Sequence, residues 1–99
     1  MAIFKKGVPI FTMLQDENRQ QILVMLCGGK GMTVNQITAQ LKLSRPAVSH
    51  HLKLMRDAGL LTVSQTGTER YYSAQMTETL TLLKDLTASL EADIAQQTD

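Results

Sequence analysis

At 99 residues with 43% apolar content, the chain has material for one domain with a modest core, and domains this small gain from burying further apolar surface against a second copy. The net charge of +1 names no partner, a single cysteine excludes an intrachain disulfide, and the longest apolar run, Ile22 to Cys27, falls far short of the roughly 20 residues that span a bilayer. With no secretion-signal pattern at its N-terminus, the chain reads as a cytoplasmic protein without a membrane partner.

In chain order, Pro9 in GVPIFTML suits the first turn of a short helix carrying Ile10, Phe11 and Leu14 on one face. Asp16 caps a second helix, ENRQQILVMLC, in which Ile22, Leu23, Leu26 and Cys27 follow the spacing of a buried stripe, and GGKG ends it. By its place in that stripe Cys27 reads as a small buried hydrophobe rather than a reactive thiol. GGKGMT lacks both the spacing and the preceding strand of a phosphate-binding loop. In TVNQITAQLKL, Thr33 and Gln36 form a capping box for a third helix of under three turns, with Val34, Ile37 and Leu41 facing inward.

Ser44 caps the next helix, Pro46 occupies its first turn where a missing N–H does no harm, and Gly59 stops it. Val48, Leu52 and Met55 recur at helical spacing and face inward. Arg45, Ser49, Lys53 and Arg56 share the same spacing on another face, with His50 at its border. His51 lies nearer the Val48 and Met55 side and reads as a packed, hydrogen-bonded histidine. Neighbours on a helix point apart, so His50 and His51 cannot chelate one ion together. A turn of about three residues between the third and fourth helices makes a helix-turn-helix.

LLTVS and ERYYS flank QTGT, whose Gly67 can supply the positive φ of a hairpin turn, and this hairpin leans on the helices through Leu61, Val63 and one of the two tyrosines. The last helix, from Thr77 to about Ala95, carries Leu80, Leu83, Leu86, Leu90 and Ile94 at helical intervals. With Leu82 added, the stripe is wider than a solvated helix needs and suits a dimer seam. Charge is sorted along the chain. Met32 to Arg56 holds Lys42, Arg45, Lys53 and Arg56 with no acid, whereas Ala74 to Asp99 holds Glu78, Asp85, Glu91, Asp93 and Asp99 against Lys84 alone. One surface is thus suited to a polyanion and another kept from it.

Taken together, LKLSRPAVSHHLKLMRDAGLLTVSQTGTERYYS resembles the ArsR/SmtB family of bacterial winged-helix repressors. The similarity reaches back through DENRQQILVML and covers about residues 16 to 73. It implies a mainly α fold with a small β-hairpin: a winged helix-turn-helix of about five helices and a two-stranded wing. Residues 1–99 would form a single DNA-binding domain with N- and C-terminal dimerisation helices. The resemblance further implies a homodimer in which Ile10, Phe11 and Leu14 meet Leu80, Leu83, Leu86, Leu90 and Ile94, with the fourth helix in the major groove of double-stranded DNA and the hairpin reaching the flanking backbone.

The residue types agree with that implication. Ser44 and Ser49 can donate to phosphates or base edges, Arg45 can grip a guanine through two hydrogen bonds, His50 offers a donor or an acceptor, and Lys53 suits a phosphate. Arg70 would serve the wing, offset there by Glu69. A two-fold dimer presents two such helices roughly 34 Å apart, so the operator should be an imperfect palindrome.

Other features depart from the family. Many members sense metal through a C-x-C near the third helix, where this chain reads MTVNQIT; others use histidines and carboxylates on the last helix, but residues 77–99 contain no histidine. Redox-sensing members use two cysteines and this chain has one. No metal site and no cofactor is therefore expected, and the sequence names no inducer. No nucleophile, base and orienting group converge, which argues against an enzyme. The expectation is a sequence-specific transcriptional repressor; the alternative is a winged-helix module that binds protein rather than DNA.

Overall fold

A computed structural model of the chain describes the backbone of residues 2–97, and the side chains of residues 5 and 7–97. Asp99, counted above among the acids, lies outside the described residues. The order is α1 (Ala2–Met13), α2 (Glu17–Leu26), α3 (Val34–Ala39), α4 (Arg45–Asp57), β1 (Leu61–Thr66), β2 (Glu69–Ala74) and α5 (Thr77–Gln97). The result is a winged helix-turn-helix, with α3 and α4 as the paired helices and the β1–β2 hairpin as the wing.

Local chemistry sets most of these boundaries. Asp16 caps α2 by accepting from the N–H groups of Asn18 at 2.8 Å and Arg19 at 3.2 Å. Its carboxyl is held below its ordinary pKa, first by the Arg19 N–H against an opposing desolvation, then by the Asn18 N–H and the charges of Arg19 and His51. The capping box on α3 closes in both directions: Gln36 N donates to Thr33 Oγ1 at 3.2 Å, and Thr33 N to Gln36 Oε1 at 2.9 Å. Ser44 Oγ accepts from Ala47 N at 3.3 Å to start α4, and Gly59 at φ +83° ends it.

The largest departures from the expected boundaries are in the first and third helices. The first helix does not begin at Pro9 but at Ala2, with Pro9 in its interior. The carbonyls at its C-terminal end gain partners from α2: Arg19 Nε donates to Met13 O at 2.8 Å and Gln20 Nε2 to Leu14 O at 2.6 Å. These bonds satisfy groups that a helix end leaves open, and they dock α1 on α2. The third helix stops at Ala39, so five residues, not about three, separate it from α4. Leu41, expected on its inward face, packs half-buried from that turn.

One core runs through the molecule: Ile10, Ile22, Leu26, Ile37, Val48, Leu52, Met55, Leu60, Leu61 and Tyr72 are buried. The inward stripe of α4 is fully enclosed, and burying each such side chain contributes about 1.5–3 kcal/mol. The wing pairs in antiparallel register from Leu61 opposite Ala74 to Thr66 opposite Glu69. This leaves Gly67 at φ +62° and Thr68 as a two-residue turn. Tyr72 is the tyrosine that anchors the wing, and Leu61 and Val63 lean inward beside it. Met32 adds an edge bridge to β2, giving and receiving backbone hydrogen bonds with Tyr72 at 3.0 and 2.8 Å. No periodicity marks a one-residue bridge, and the sequence reading missed it.

Two side chains sit differently from expectation. Cys27 is exposed, not buried, because α2 ends at Leu26 and the cysteine occupies the C-cap, where the chain turns off through Gly28 and Gly29 before another element can cover it. His51 packs half-buried as expected, but its Nδ1 is enclosed without a hydrogen-bond partner. The histidine is held by packing on that side.

Candidate nucleic-acid interface

The polar face of α4 forms the floor of an open groove of about 610 Å³. Arg45, Ser49, Lys53 and Arg56 lie along it on successive turns. One wall is the start of α3, with Thr33, Val34 and Asn35; the other is the wing, with Thr68, Glu69, Arg70 and, nearer the core, Tyr72. The two capped helix starts hold the first wall in place. The wing register holds the second: Arg70 lies opposite Gln65, two residues beyond the buried Tyr72 on the same face of the hairpin. That face turns inward at Tyr72 and, past the edge of the core, presents Arg70 to the groove.

Four cations line this groove, Arg45, Lys53, Arg56 and Arg70, against two acids, Asp57 and Glu69. Glu69 accepts a hydrogen bond from Tyr71 Oη at 2.8 Å, a bond that raises the Tyr71 pKa above its ordinary value. The surplus of positive charge in this open groove suits a polyanion. No residue of the acidic α5 lines the groove.

Of the residues singled out for DNA contact, Arg45, Ser49, Lys53 and Arg70 come together in this groove. Ser44 and His50 are exposed beside it but do not line it. Ser44 is instead engaged as the cap of α4. The sequence reading did not place Thr33, Asn35 and Thr68 at the site. Asn35 carried a weak signal, being the second residue after the Thr33 cap at the start of a helix-turn-helix. Thr68 carried only its place at the hairpin tip.

The apolar residues singled out for an interface divide. Ile10 is turned into the chain's own core at 8% exposure and offers little to a partner, while Phe11, Leu14 and Leu86 are half-buried. Leu80, Leu83, Leu90 and Ile94 stand 52%, 41%, 44% and 58% exposed. Along the rest of α5 the burial is slight, Thr79 being its one fully buried side chain among the described residues. The helix packs against α1 and runs on past the core. The radius of gyration is accordingly 16.3 Å, where a compact chain of this length would have about 13 Å.

Among the described residues, no three His, Cys, Asp or Glu side chains gather as a metal ion would require, and no helix is long and apolar enough to cross a membrane.

Comparison with known proteins gives a consistent picture. The sequence profile of the bacterial regulatory proteins of the arsR family matches residues 16–63. The chain is 34% identical over 68 residues to the transcriptional repressor SdpR of Bacillus subtilis, covering 69% of this chain and 74% of that protein. It is 33% identical over 72 residues to an uncharacterised helix-turn-helix transcriptional regulator of Methanocaldococcus jannaschii, covering 73% and 81%. Among solved structures, an ArsR-like transcriptional regulator from Rhodococcus sp. RHA1 superposes with a TM-score of 0.79 at 26% identity, over 96% of this chain and 89% of that one.

Proposed function

This chain belongs to the ArsR family of DNA-binding transcriptional regulators, which are not enzymes, and we propose that it acts as a homodimeric repressor reading an imperfect palindrome. The observation that carries this reading is the groove over α4, in which Arg45, Ser49, Lys53 and Arg56 face outward from a helix whose opposite stripe is locked in the core, with Arg70 of the wing as a fourth cation. In this reading α4 enters the major groove. Arg45 and Ser49 address base edges, Lys53 takes a phosphate, and Arg70 reaches the flanking backbone from the wing. Ser44 and His50, exposed at the margin of the groove, serve as contacts to the phosphates that border it.

A second copy covers the face of α5 left open by its own chain. Leu83, Leu86, Leu90 and Ile94 fall on one side of the helix and Phe11 and Leu14 of α1 add to it, making residues 1–99 one DNA-binding domain with dimerisation helices at both ends. Two-fold symmetry then sets two α4 helices about one DNA turn, roughly 34 Å, apart. The repressor assignment draws on SdpR, whose sequence is similar and which is a repressor.

Selection from a pool of random duplexes tests the reading, together with sedimentation of the free protein. The expected result is enrichment of two inverted half-sites by a dimer, and lowered expression of a reporter whose promoter overlaps the selected site. A protein that enriches no sequence would instead be a winged-helix adaptor for another protein.

A further inference from the structure

Across the helix-turn-helix, the Nε–H of Arg45 donates to Oδ1 of Asn35 at 2.8 Å. Both side chains are exposed and both line the groove. An exposed arginine is ordinarily spread over many rotamers, with its donors given to water. Here the two backbones are fixed beforehand: Arg45 is the first residue of α4 after the Ser44 cap, and Asn35 the second residue of α3 after the Thr33 capping box.

The chemistry of the pair limits what it can do. Arginine carries five N–H donors and no acceptor, so it is the amide oxygen of Asn35 that must face it. A bond through Nε occupies one side of the guanidinium and leaves the edge formed by the two Nη groups free. That edge can meet the O6 and N7 acceptors of a guanine end-on. A carboxylate at position 35 would hold the arginine too, but would cancel the charge that draws it to DNA. A neutral amide restrains the group and leaves its charge intact.

We propose that Asn35 is a positioning residue for base reading by Arg45, its amide oxygen holding the guanidinium before DNA arrives with the Nη edge turned to the groove. The proposal rests on the assignment of Arg45 as a base reader. Asn35 acts through Arg45, so its removal weakens the preference for one base pair and leaves general DNA affinity alone.

The test uses the full chain and the duplex that the parent protein selects. Affinities are measured for that duplex, for each single-pair variant of it, and for a duplex of unrelated sequence. Arg45→Ala identifies the base pair that Arg45 reads. Asn35→Ala, an exposed change to a good helix former whose unchanged thermal midpoint verifies folding, is expected to lower discrimination at that same pair by about 2- to 10-fold, the cost of ordering one long side chain on binding. Discrimination elsewhere and affinity for unrelated DNA stay as in the parent, and the double variant loses no more than Arg45→Ala alone. Asn35→Asp, which keeps an oxygen at the same reach, retains the preference while weakening all duplexes alike. In the free protein, ¹⁵N relaxation of the Arg45 Nε–H vector is expected to show restricted motion that Asn35→Ala releases.

Three outcomes overturn the proposal while leaving Arg45 as a reader: Asn35→Ala discriminating like the parent, a loss at a base pair that Arg45→Ala does not affect, or a vector equally mobile in both proteins. A parent chain that selects no sequence overturns the DNA-reading assignment itself, and the proposal with it.

Discussion

The amide of Leu60 donates to the carbonyl of Met55 at 3.0 Å, closing the end of α4 while both side chains lie fully inside the core. With the Gly59 N–H bonded to Arg56 O at 2.9 Å, this is a Schellman motif. One turn thus ends the helix that carries the groove residues and aims β1, and with it the wing. The motif requires the left-handed conformation of Gly59, φ +83°. A methyl group there would meet nothing within 4 Å, so the cost of adding one is conformational rather than steric crowding by neighbours. Gly59→Ala should therefore destabilise the fold by about 1–2 kcal/mol. Urea denaturation should show a lowered midpoint with an unchanged slope.

The cap of α2 gives the fold a dependence on acid. The Asp16 carboxyl has a lower pKa folded than unfolded, so its contribution is fully present above the ordinary carboxylate range, near pH 4, and is lost as the pH falls through the lowered folded value. Asparagine caps as well as aspartate but does not titrate. The thermal midpoint of the parent should fall more steeply than that of Asp16→Asn as pH is taken from 5 to 3, and parallel curves would contradict this.

On DNA, base reading and phosphate binding separate by salt and by sequence. Arg45→Ala should cost about 1–3 kcal/mol at the selected site and relax one position, whereas Lys53→Ala should weaken all duplexes alike and reduce the salt slope by about one. Titrations at several salt concentrations measure both. Parent-like binding by both variants would remove α4 from the interface.

Association should depend on the open side of α5. Leu90 is 44% exposed in its own chain, so Leu90→Glu should leave the fold intact. At the centre of a dimer seam the same change should cost about 2 kcal/mol or more of association. Sedimentation velocity should then show a monomer at concentrations where the parent is a dimer, with operator binding lost alongside.

The exposed C-cap position of Cys27 makes it open to reagents. One thiol per chain should react with a colorimetric disulfide reagent as fully in buffer as in denaturant. Cys27→Ser should change stability by less than about 0.5 kcal/mol, as surface substitutions do. A thiol that reacts only after unfolding would return Cys27 to the interior.

Much of the fold could be read along the chain because its signals act over one or two turns. The Thr33–Gln36 box, the Ser44 cap, the Val48–Leu52–Met55 stripe and the Gly67 turn each involve residues close in sequence, and each stands where the spacing put it. The misreadings lie at element ends. Cys27 continues the apolar spacing of α2 one residue beyond the point where the helix has neighbours, and Pro9, which by its missing N–H favours a helix start, stands instead in the interior of α1 with nearly two turns before it.

By itself the sequence determined which face of α4 is apolar and which is polar, since that follows from residue type and a period of 3.6. It determined the hairpin in the same way, from strand propensity and a glycine at the turn. Only the tertiary structure decided that Asn35 and Thr33 stand across from Arg70 over that polar face, that Met32 joins the wing, and that Arg45 is held by an amide ten residues away. These relations come from how α3 and the wing pack on the shared core. Such contacts join residues far apart in the chain, so they leave no periodicity within any one segment.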